Sequence, residues 1–282
     1  MIHKFTLLEG ILLRANIIPH PLIDAMTYVL AGRALQVSIK IGLIEVLQDQ
    51  DLSIEHLAKK LKLPEDSIAV LVDNLEALGY LRQIKNNKYS LSKRGEKFFS
   101  KDSKSSMKNT ILFSDYVFEA LGDLEENIKT GGPKNVNLDI FTPKQWDIFN
   151  NTMIEIASSN AVEIAKVLPK FKSFNKLLDV GGSHGIHAIE YCKKVPALTA
   201  TIFDLKPVEP YANRIIREQK MSDRVSYKVG NFFSDNLGKN YDVVFAFNII
   251  HGLNPKQNDV LTKKIYDALN PGGMSVILDQ IR

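Results

Sequence analysis

Apolar positions recur at helical spacing through most of the first eighty residues. Over residues 23–47 the pattern predicts two helices that meet at Gly42. Capping residues open two further helices, over 53–61, where Ser53 precedes the first apolar residue, and over 64–78. Gly79 ends the last of them. The amino-terminal part of the chain is therefore predicted to be mostly helical.

A strand-like alternation of apolar and polar positions follows these helices. Residues 80–84 and 88–91 alternate with a period of two, and Asn86 and Asn87 predict a turn between them. Helices followed by a two-stranded hairpin form the winged-helix pattern. Such a domain either reads DNA with the helix before the hairpin or serves as a dimerisation scaffold.

The helix before the hairpin has the wrong charge for DNA. Residues 66–78 contain no Lys or Arg, and the acidic side chains of this helix and of the residue before it would repel a phosphate backbone. These acidic residues are Glu65, Asp66, Asp73 and Glu76. We therefore expect no nucleic-acid partner and favour the dimerisation scaffold.

Two longer helices, over 104–130 and 143–169, are predicted to bridge this domain to the rest of the chain, with a loop at 130–133 between them. Large apolar side chains on the bridge serve either as core or as the lining of an acceptor pocket. They are Phe113, Tyr116, Phe118, Trp146, Phe149 and Met153.

From residue 176 onward, short β-type runs alternate with segments of helix length. This alternation predicts a doubly wound α/β sheet, in which ligands bind at the carboxyl ends of the strands. The predicted strands are 177–180, 198–203, 225–229, 242–247 and 275–279.

Composition narrows the class of protein without naming a function. The chain has 282 residues, 45% hydrophobic and 24% charged, with a net charge of +4, which is typical of a folded protein of two domains. No run is long enough to span a membrane, and the single cysteine, Cys192, excludes an internal disulfide. We expect a cytoplasmic protein with no membrane partner.

His184 and His187 lie three residues apart, a spacing that offers two metal ligands on a helix. No third ligand is near in sequence, so solvated histidines are the preferred interpretation and no metal is expected.

A glycine-rich turn follows the first strand of the predicted sheet. Gly181, Gly182 and Gly185 stand where a ligand can approach the backbone, and Asp204 ends the next strand, where an acid can accept ribose hydroxyls. The spacing Asp-x-Gly-x-x-x-Gly differs from the dinucleotide fingerprint, and Asp179 would repel a pyrophosphate. An acid there suits a ligand with ammonium and sulfonium centres, although Asp179 also has the alternative of capping a helix.

Five motifs follow one another along the second half of the chain, and the set is far more specific than any one of them. Together, and with the winged helix, they resemble the small-molecule O-methyltransferases of the caffeate and hydroxyindole type, which depend on S-adenosylmethionine (SAM). The motifs occupy 177–185, 202–208, 224–233, 248–251 and 268–273.

The resemblance implies a winged-helix dimerisation domain (1–103), helices of the bridge and acceptor site (104–170) and a Rossmann-like SAM-binding domain (171–282). It implies a homodimer formed through the first domain, a small aromatic acceptor, and S-adenosylhomocysteine as the product of the cofactor. The implied cofactor-binding residues are Asp179, Gly181, Gly182, Gly185, Asp204, Leu205, Asn231, Phe232 and Phe247.

Catalysis is assigned through the same resemblance. His251 matches the general base, and Asp279 matches the first of two carboxylates that orient it. The implied acceptor-site residues are Phe113, Trp146, Phe149, Met153 and Asn248.

The sequence also departs from the family. Gly252 stands where Asp is usual, Asn231 replaces an Asp, Ser183 replaces a Gly, and the second carboxylate has no counterpart. Relatives continue beyond the last strand, so we expect this chain to lack their carboxyl-terminal end. Two alternatives stay open: a SAM-binding relative with rearrangement or cyclisation chemistry, and a non-catalytic winged-helix regulator.

Overall fold

The computed structural model describes residues 27–131, 141–169 and 174–279, together with residues 12, 15, 17, 21 and 25. Contacts divide the chain into two units, Met1–Asp123 and Leu124–Arg282. The predicted bridge, residues 104–170, therefore contributes to both units. None of the helices in these described ranges is long and apolar enough to cross a membrane.

The first unit is mainly helical and carries a small antiparallel sheet of order β1-β3-β2. Its helices are α1 (Tyr28–Lys40), α2 (Leu43–Asp49), α3 (Ile54–Leu61), α4 (Glu65–Ala77), α5 (Lys93–Phe99) and α6 (Lys108–Gly122). Its strands are β1 (Leu52–Ser53), β2 (Leu81–Ile84) and β3 (Lys88–Leu91).

Local sequence signals explain where these helices begin and end. Gly42 adopts a φ of +80° between α1 and α2, a value that glycine takes at little cost. The Ser53 hydroxyl accepts a hydrogen bond from the His56 backbone N–H at the start of α3. These predicted boundaries are confirmed, except that residues 23, 24 and 26 of the first predicted helix lie outside the described residues.

Two predictions for this part of the chain were incomplete. The wing has a third strand, because residues Leu52 and Ser53 pair with Tyr89 and Lys88, and two residues are too few to show an alternation. The single helix predicted over 104–130 is two helices, broken at Asp123 and starting only at Lys108. Gly122 is a poor helix former, which explains the break.

The second unit is an α/β domain around one parallel sheet of order β6-β5-β4-β7-β8, as the sequence predicts. Its helices are α7 (Leu124–Thr130), α8 (Pro143–Val167), α9 (Ile186–Lys194), α10 (Glu209–Glu218) and α11 (Pro255–Ala268). Its strands are β4 (Lys176–Val180), β5 (Thr199–Asp204), β6 (Val225–Val229), β7 (Tyr241–Phe247) and β8 (Leu269–Leu278).

Helices cover both faces of this sheet at its centre, so the central strands β4 and β7 are buried over most of their length. One face packs with α9, α10 and part of α8 around Leu177, Ile202 and Phe245. The other packs with α11 around Leu178 and Val244.

Two element boundaries differ from the predictions. Helix α8 ends at Val167, because Leu168 precedes Pro169 and takes an extended conformation (ψ 140°). Strand β8 starts at Leu269 instead of residue 275, and it includes Pro271 and two glycines, residue types that are uncommon inside strands. An irregularity of register against β7 accommodates them. Residues 132 and 133 of the predicted loop lie outside the described residues.

Candidate active site

The predicted cofactor residues meet at the carboxyl edge of the sheet. Asp179 lies in β4 beside Ile202 of β5 and Phe245 of β7, and Asp204 ends β5. Strand order places β4 at the centre, where the chain reverses its winding direction. This is where α/β sheets bind ligands.

The turn after β4 needs its glycines for steric reasons. Gly181 and Gly185 have φ values of +64° and +73°. A Cβ on Gly185 would lie 2.0 Å from Ile202 Cδ1, and one on Gly182 would lie 2.5 Å from Asp179 Cγ. The backbone of the turn therefore packs directly on the strands, with no room for side chains.

Asp204 is held by the turn that it faces. Its Oδ2 accepts the Ser183 N–H at 2.8 Å and its Oδ1 accepts the Leu205 N–H at 2.7 Å. Burial raises the pKa of this carboxyl although both hydrogen bonds favour its charge. Each oxygen keeps a lone pair that can accept a hydroxyl hydrogen from a ligand.

Asp179 is buried with no hydrogen-bond donor among the residues that the structure describes. Burial first, and then the charge of Asp204, raise the pKa of Asp179 to about 8. The alternative that Asp179 caps α9 is wrong, because Gly185 is the N-cap residue and that helix has no side-chain cap. A cation between these two carboxylates would relieve their repulsion.

The loop after β6 carries the predicted adenine contacts. Gly230 N–H donates to the Asp204 carbonyl at 2.9 Å, which ties the start of the loop to β5. The Asn231 side-chain oxygen accepts the Phe233 N–H at 2.9 Å, so its amide NH₂ is oriented by the turn. Phe232 is half-buried against the α11 face of the sheet.

Phe247 lies in the core. Its side chain is 6% exposed, stacks on Phe245 with ring centroids 4.6 Å apart, and meets the edge of the His187 ring. Leu205, by contrast, is half-exposed, and its carbonyl accepts the Tyr227 hydroxyl at 2.7 Å. Tyr227 therefore steadies the backbone beside Asp204, a contact that strand alternation alone did not reveal.

His184 is buried, and the sequence interpretation of a solvated histidine was wrong for it. Its Nδ1 accepts the Ile186 N–H at 3.1 Å, and the ring also bonds to the Met153 backbone. Burial, with the neighbouring His187, lowers the pKa of His184 to about 3, and burial lowers that of His187 to about 4. No cluster of three metal-ligating side chains occurs in the described ranges.

The structure brings His251 and Asp279 together. His251 Nδ1 lies 2.6 Å from Asp279 Oδ1. The other carboxylate oxygen accepts the Ile250 N–H at 2.8 Å and the His251 N–H at 3.3 Å. The Asp279 side chain is fully buried, whereas the His251 side chain is 48% exposed.

Backbone geometry explains this meeting of two residues that are far apart in sequence. Phe247 and Leu278 are register partners in neighbouring parallel strands, so both chains leave the sheet side by side. The Asn248 N–H then donates to the Leu278 carbonyl at 2.7 Å, with Asn248 in a left-handed turn. Asn258 of α11 donates to the Ile250 carbonyl at 3.1 Å and holds the turn from the other side.

Of the predicted acceptor-site residues, three lie on α8. Trp146 and Phe149 meet edge to face, with centroids 5.9 Å apart, and Phe141 packs against both. Met153 follows one turn later. Phe113 belongs to the first unit, where its ring contacts Tyr116.

Comparison with known proteins gives the family of this chain. A family model described as an O-methyltransferase domain matches residues 130–282, more than half of the chain. This chain belongs to that family. Its members use SAM, and related structures were solved with SAM or S-adenosylhomocysteine bound. The expectation of a SAM-dependent methyltransferase is therefore confirmed.

Individual relatives are distant but extensive. The L-tyrosine C(3)-methyltransferase of Streptomyces lavendulae is 24% identical over 280 residues, covering 92% of this chain and 75% of the relative. The tetracenomycin polyketide synthesis 8-O-methyl transferase of Streptomyces glaucescens is also 24% identical, over 89% of this chain and 75% of its own length. The mitomycin 7-O-methyltransferase structure matches with a TM-score of 0.83 at 19% identity, covering 97% of this chain and 83% of that one.

The observed residues fit SAM. A Cβ at position 182 or 185 would overlap neighbouring atoms, so the turn requires glycine at both positions. Asp204 offers acceptors suited to ribose hydroxyls. Asp179, which is buried, and Asp204, which is half-buried, repel each other, so the pair favours a cationic ligand such as SAM.

Proposed function

We propose that this enzyme transfers the methyl group to a hydroxyl of a small aromatic molecule, with His251 as the general base. The observation that carries the proposal is the contact between His251 Nδ1 and the buried Asp279 carboxylate. A carboxylate at Nδ1 favours the tautomer that carries its proton there. Nε2 then carries the free lone pair, which can accept the proton of the substrate hydroxyl.

A base is needed because the acceptor is a poor nucleophile in its neutral form. A phenol has a pKa of about 10, so few molecules are ionised at neutral pH. His251 would take the hydroxyl proton at Nε2 while Asp279 stabilises the resulting imidazolium. SAM, when bound, supplies an electrophilic methyl group on a sulfonium centre.

We assign the cofactor contacts as follows. Asp204 binds the ribose hydroxyls, the turn from Gly181 to Gly185 approaches the methionine part, and Asp179 compensates the positive charge. Asn231 and Phe232 lie against the adenine, with Leu205 beside it. Phe247 contributes through its position at the end of β7, because its ring is buried in the core.

We assign the acceptor to the aromatic cluster on α8. Trp146, Phe149 and Met153 would contact a planar ring, and Asn248 would offer a polar contact at the end of β7. Phe113, the remaining residue of this assignment, belongs to the first unit. The second unit alone supplies the other residues.

Substitution of His251 by Ala tests the base. We expect kcat for phenolic acceptors to fall by about 10²–10⁴-fold, while the Kd for SAM, measured by calorimetry, stays nearly constant. Asp279→Asn should lower kcat by a comparable factor, because its NH₂ would donate to His251 Nδ1 while its carbonyl keeps the two backbone N–H groups, and the ring proton would then lie on Nε2. Retained turnover in His251→Ala would contradict the assignment.

Oxygen has two alternatives as the acceptor atom, carbon and nitrogen, because named relatives include a C-methyltransferase and an N,N-dimethyltransferase. Incubation with SAM carrying a ¹³C-labelled methyl group, followed by NMR of the product, separates the three cases by methyl chemical shift. An O-methyl signal supports the proposal. A methyl signal on nitrogen or carbon would replace it.

We further propose a homodimer formed through the first unit and a cytoplasmic location. The winged-helix scaffold with its acidic α4 supports association between chains rather than DNA binding. The buried Cys192, whose thiol pKa burial raises to about 12, is unreactive and suits a reducing compartment. Light scattering of the purified enzyme would give the mass of the assembly, and a monomer at all concentrations would exclude the dimer.

A further inference from the structure

The loop between β6 and β7, residues 230–240, crosses one face of the sheet without a helix of its own. Two apolar side chains anchor it there: Leu237 is 2% exposed, and Phe232 packs on the same cluster. The cluster also contains Leu261 and Ile265 of α11. The loop and α11 therefore share one core.

Lys264 of α11 adds a polar clamp to this packing. Its Nζ donates to the carbonyl oxygens of Phe232 and Phe233, both at 2.7 Å, and of Asp235 at 3.0 Å. An ammonium group has three N–H donors, so all three are used on one short segment. Hydrogen bonds from a charged donor are stronger than those between neutral groups.

The clamped segment begins beside the candidate ribose contact. Gly230 bonds to the backbone of Asp204, and Asn231 N–H donates to Asp235 Oδ2 at 2.8 Å. The carbonyl oxygen of Asp235 in turn accepts a hydrogen bond from Lys264 Nζ. The position of Asn231 and Phe232 relative to Asp204 thus depends on a chain of bonds that ends at Lys264.

We propose that Lys264 is a positioning residue for the adenosine half of the cofactor, a role that rests on the proposed function. Lys264 does not touch the ligand in this scheme. It orders residues 231–235 before the ligand binds, so the entropy cost of ordering the loop does not lower the affinity. Without it, SAM would have to order the loop on binding.

Calorimetric titration of Lys264→Met with SAM and with S-adenosylhomocysteine tests the role. Both ligands share the adenosine half, so we expect both Kd values to rise by about tenfold. At saturating SAM, kcat should match the wild type, because His251 and Asp279 lie on other segments. Lys264→Arg, which keeps a charged donor, should restore most of the affinity.

Two control variants separate positioning from general stability. Lys263→Met alters the adjacent residue of α11, which is exposed and pairs with Asp267 at 3.3 Å. Lys194→Met removes another lysine that donates to three backbone carbonyl oxygens. They belong to Ala165, Lys166 and Leu168 at the end of α8. Both controls should leave the two Kd values unchanged.

The outcomes distinguish this inference from the function that it rests on. If the wild type binds neither ligand, the proposed function fails. If the wild type binds and Lys264→Met binds within about twofold of it, or Lys194→Met loses as much affinity, the positioning role is overturned. Should Lys264→Met not fold, Lys264→Gln is measured in its place under the same criteria.

Discussion

Asp179 should make the folded enzyme less stable as pH rises, and Asp179→Asn should remove that dependence. Its pKa is raised from an ordinary 3.8 to about 8 in the folded chain. Below about pH 4 the Asp179 carboxyl is protonated in both the folded and the unfolded states, so its ionisation does not change the free energy of unfolding. Between about pH 4 and about pH 8 the unfolded state loses its proton first, so the free energy of unfolding falls.

The size of the effect follows from the shift. At about 1.4 kcal/mol per unit of pKa, the cost reaches at most about 6 kcal/mol on the alkaline side of pH 8. Asn at 179 cannot ionise. The variant should therefore gain stability over the wild type progressively from about pH 4 to about pH 8, on top of a constant cost for the buried amide.

Urea unfolding followed by tryptophan fluorescence measures this gain. The chain has one tryptophan, Trp146, which lies in the same unit as Asp179. Asp242→Asn is the matched control of opposite sign. Burial would raise the pKa of Asp242, but hydrogen bonds from Asn175, Asn270 and Lys176 outweigh burial and lower it. That variant should lose stability at neutral pH and converge with the wild type in acid.

A ligand readout accompanies the stability readout. If SAM binds beside an ionised Asp179, binding below pH 8 releases a proton, and affinity rises with pH up to about pH 8. Calorimetry in buffers of different ionisation enthalpy counts that proton, and Asp179→Asn should release none. A stability difference between Asp179→Asn and the wild type that does not change with pH would refute the reasoning.

Two further substitutions test the geometry of the site. Gly185→Ala places a Cβ 2.0 Å from Ile202 at a φ of +73°, so we expect a loss of about 2–5 kcal/mol in chemical unfolding, whereas Gly252→Ala, with nothing within 4 Å, should stay within about 0.5 kcal/mol. An equal loss in both would show that close packing does not explain the turn. Tyr227→Phe removes the 2.7 Å bond to the Leu205 carbonyl and should cost about 1 kcal/mol in the same assay. No change would mean that water replaces the hydroxyl at no cost.

Most of the fold could be predicted because its signals are local. Glycines at 42 and 79 end helices, and the alternation of strands with helices predicts a parallel sheet. Two failures, the break after Gly122 and the end of α8 before Pro169, had local signals, whereas the others fell where the signal was non-local. Residues Leu52 and Ser53 form a strand only because β3 is available to pair with them, and Pro271 lies in β8 because an irregularity of register against β7 admits it.

The site could be predicted less completely, for the same reason. Asp204 and the glycines stand in motifs with fixed spacing. Lys264 and Lys194 look like ordinary solvated helix residues, and only the folded chain shows each of them on three backbone carbonyls. His184 is buried because its ring meets the Met153 backbone of α8, a contact that no local pattern announces.

Three carboxylates at one sheet edge differ in the hydrogen-bond donors that surround them, and the difference supports the separate roles proposed for them. Asp279 has donors from Ile250 and His251 on both oxygens, so its charge is satisfied within the protein, as the proposed role of orienting the histidine requires. Asp204 has one backbone N–H on each oxygen and keeps acceptor capacity for hydroxyls. Asp179 has no donor among the described residues, and its charge is stable only beside a cation from outside the chain. From Asp279 through Asp204 to Asp179, the carboxylate depends increasingly on a ligand for its charge to be stable, and this order agrees with the proposed roles of orienting the base, binding the ribose and compensating the cofactor charge.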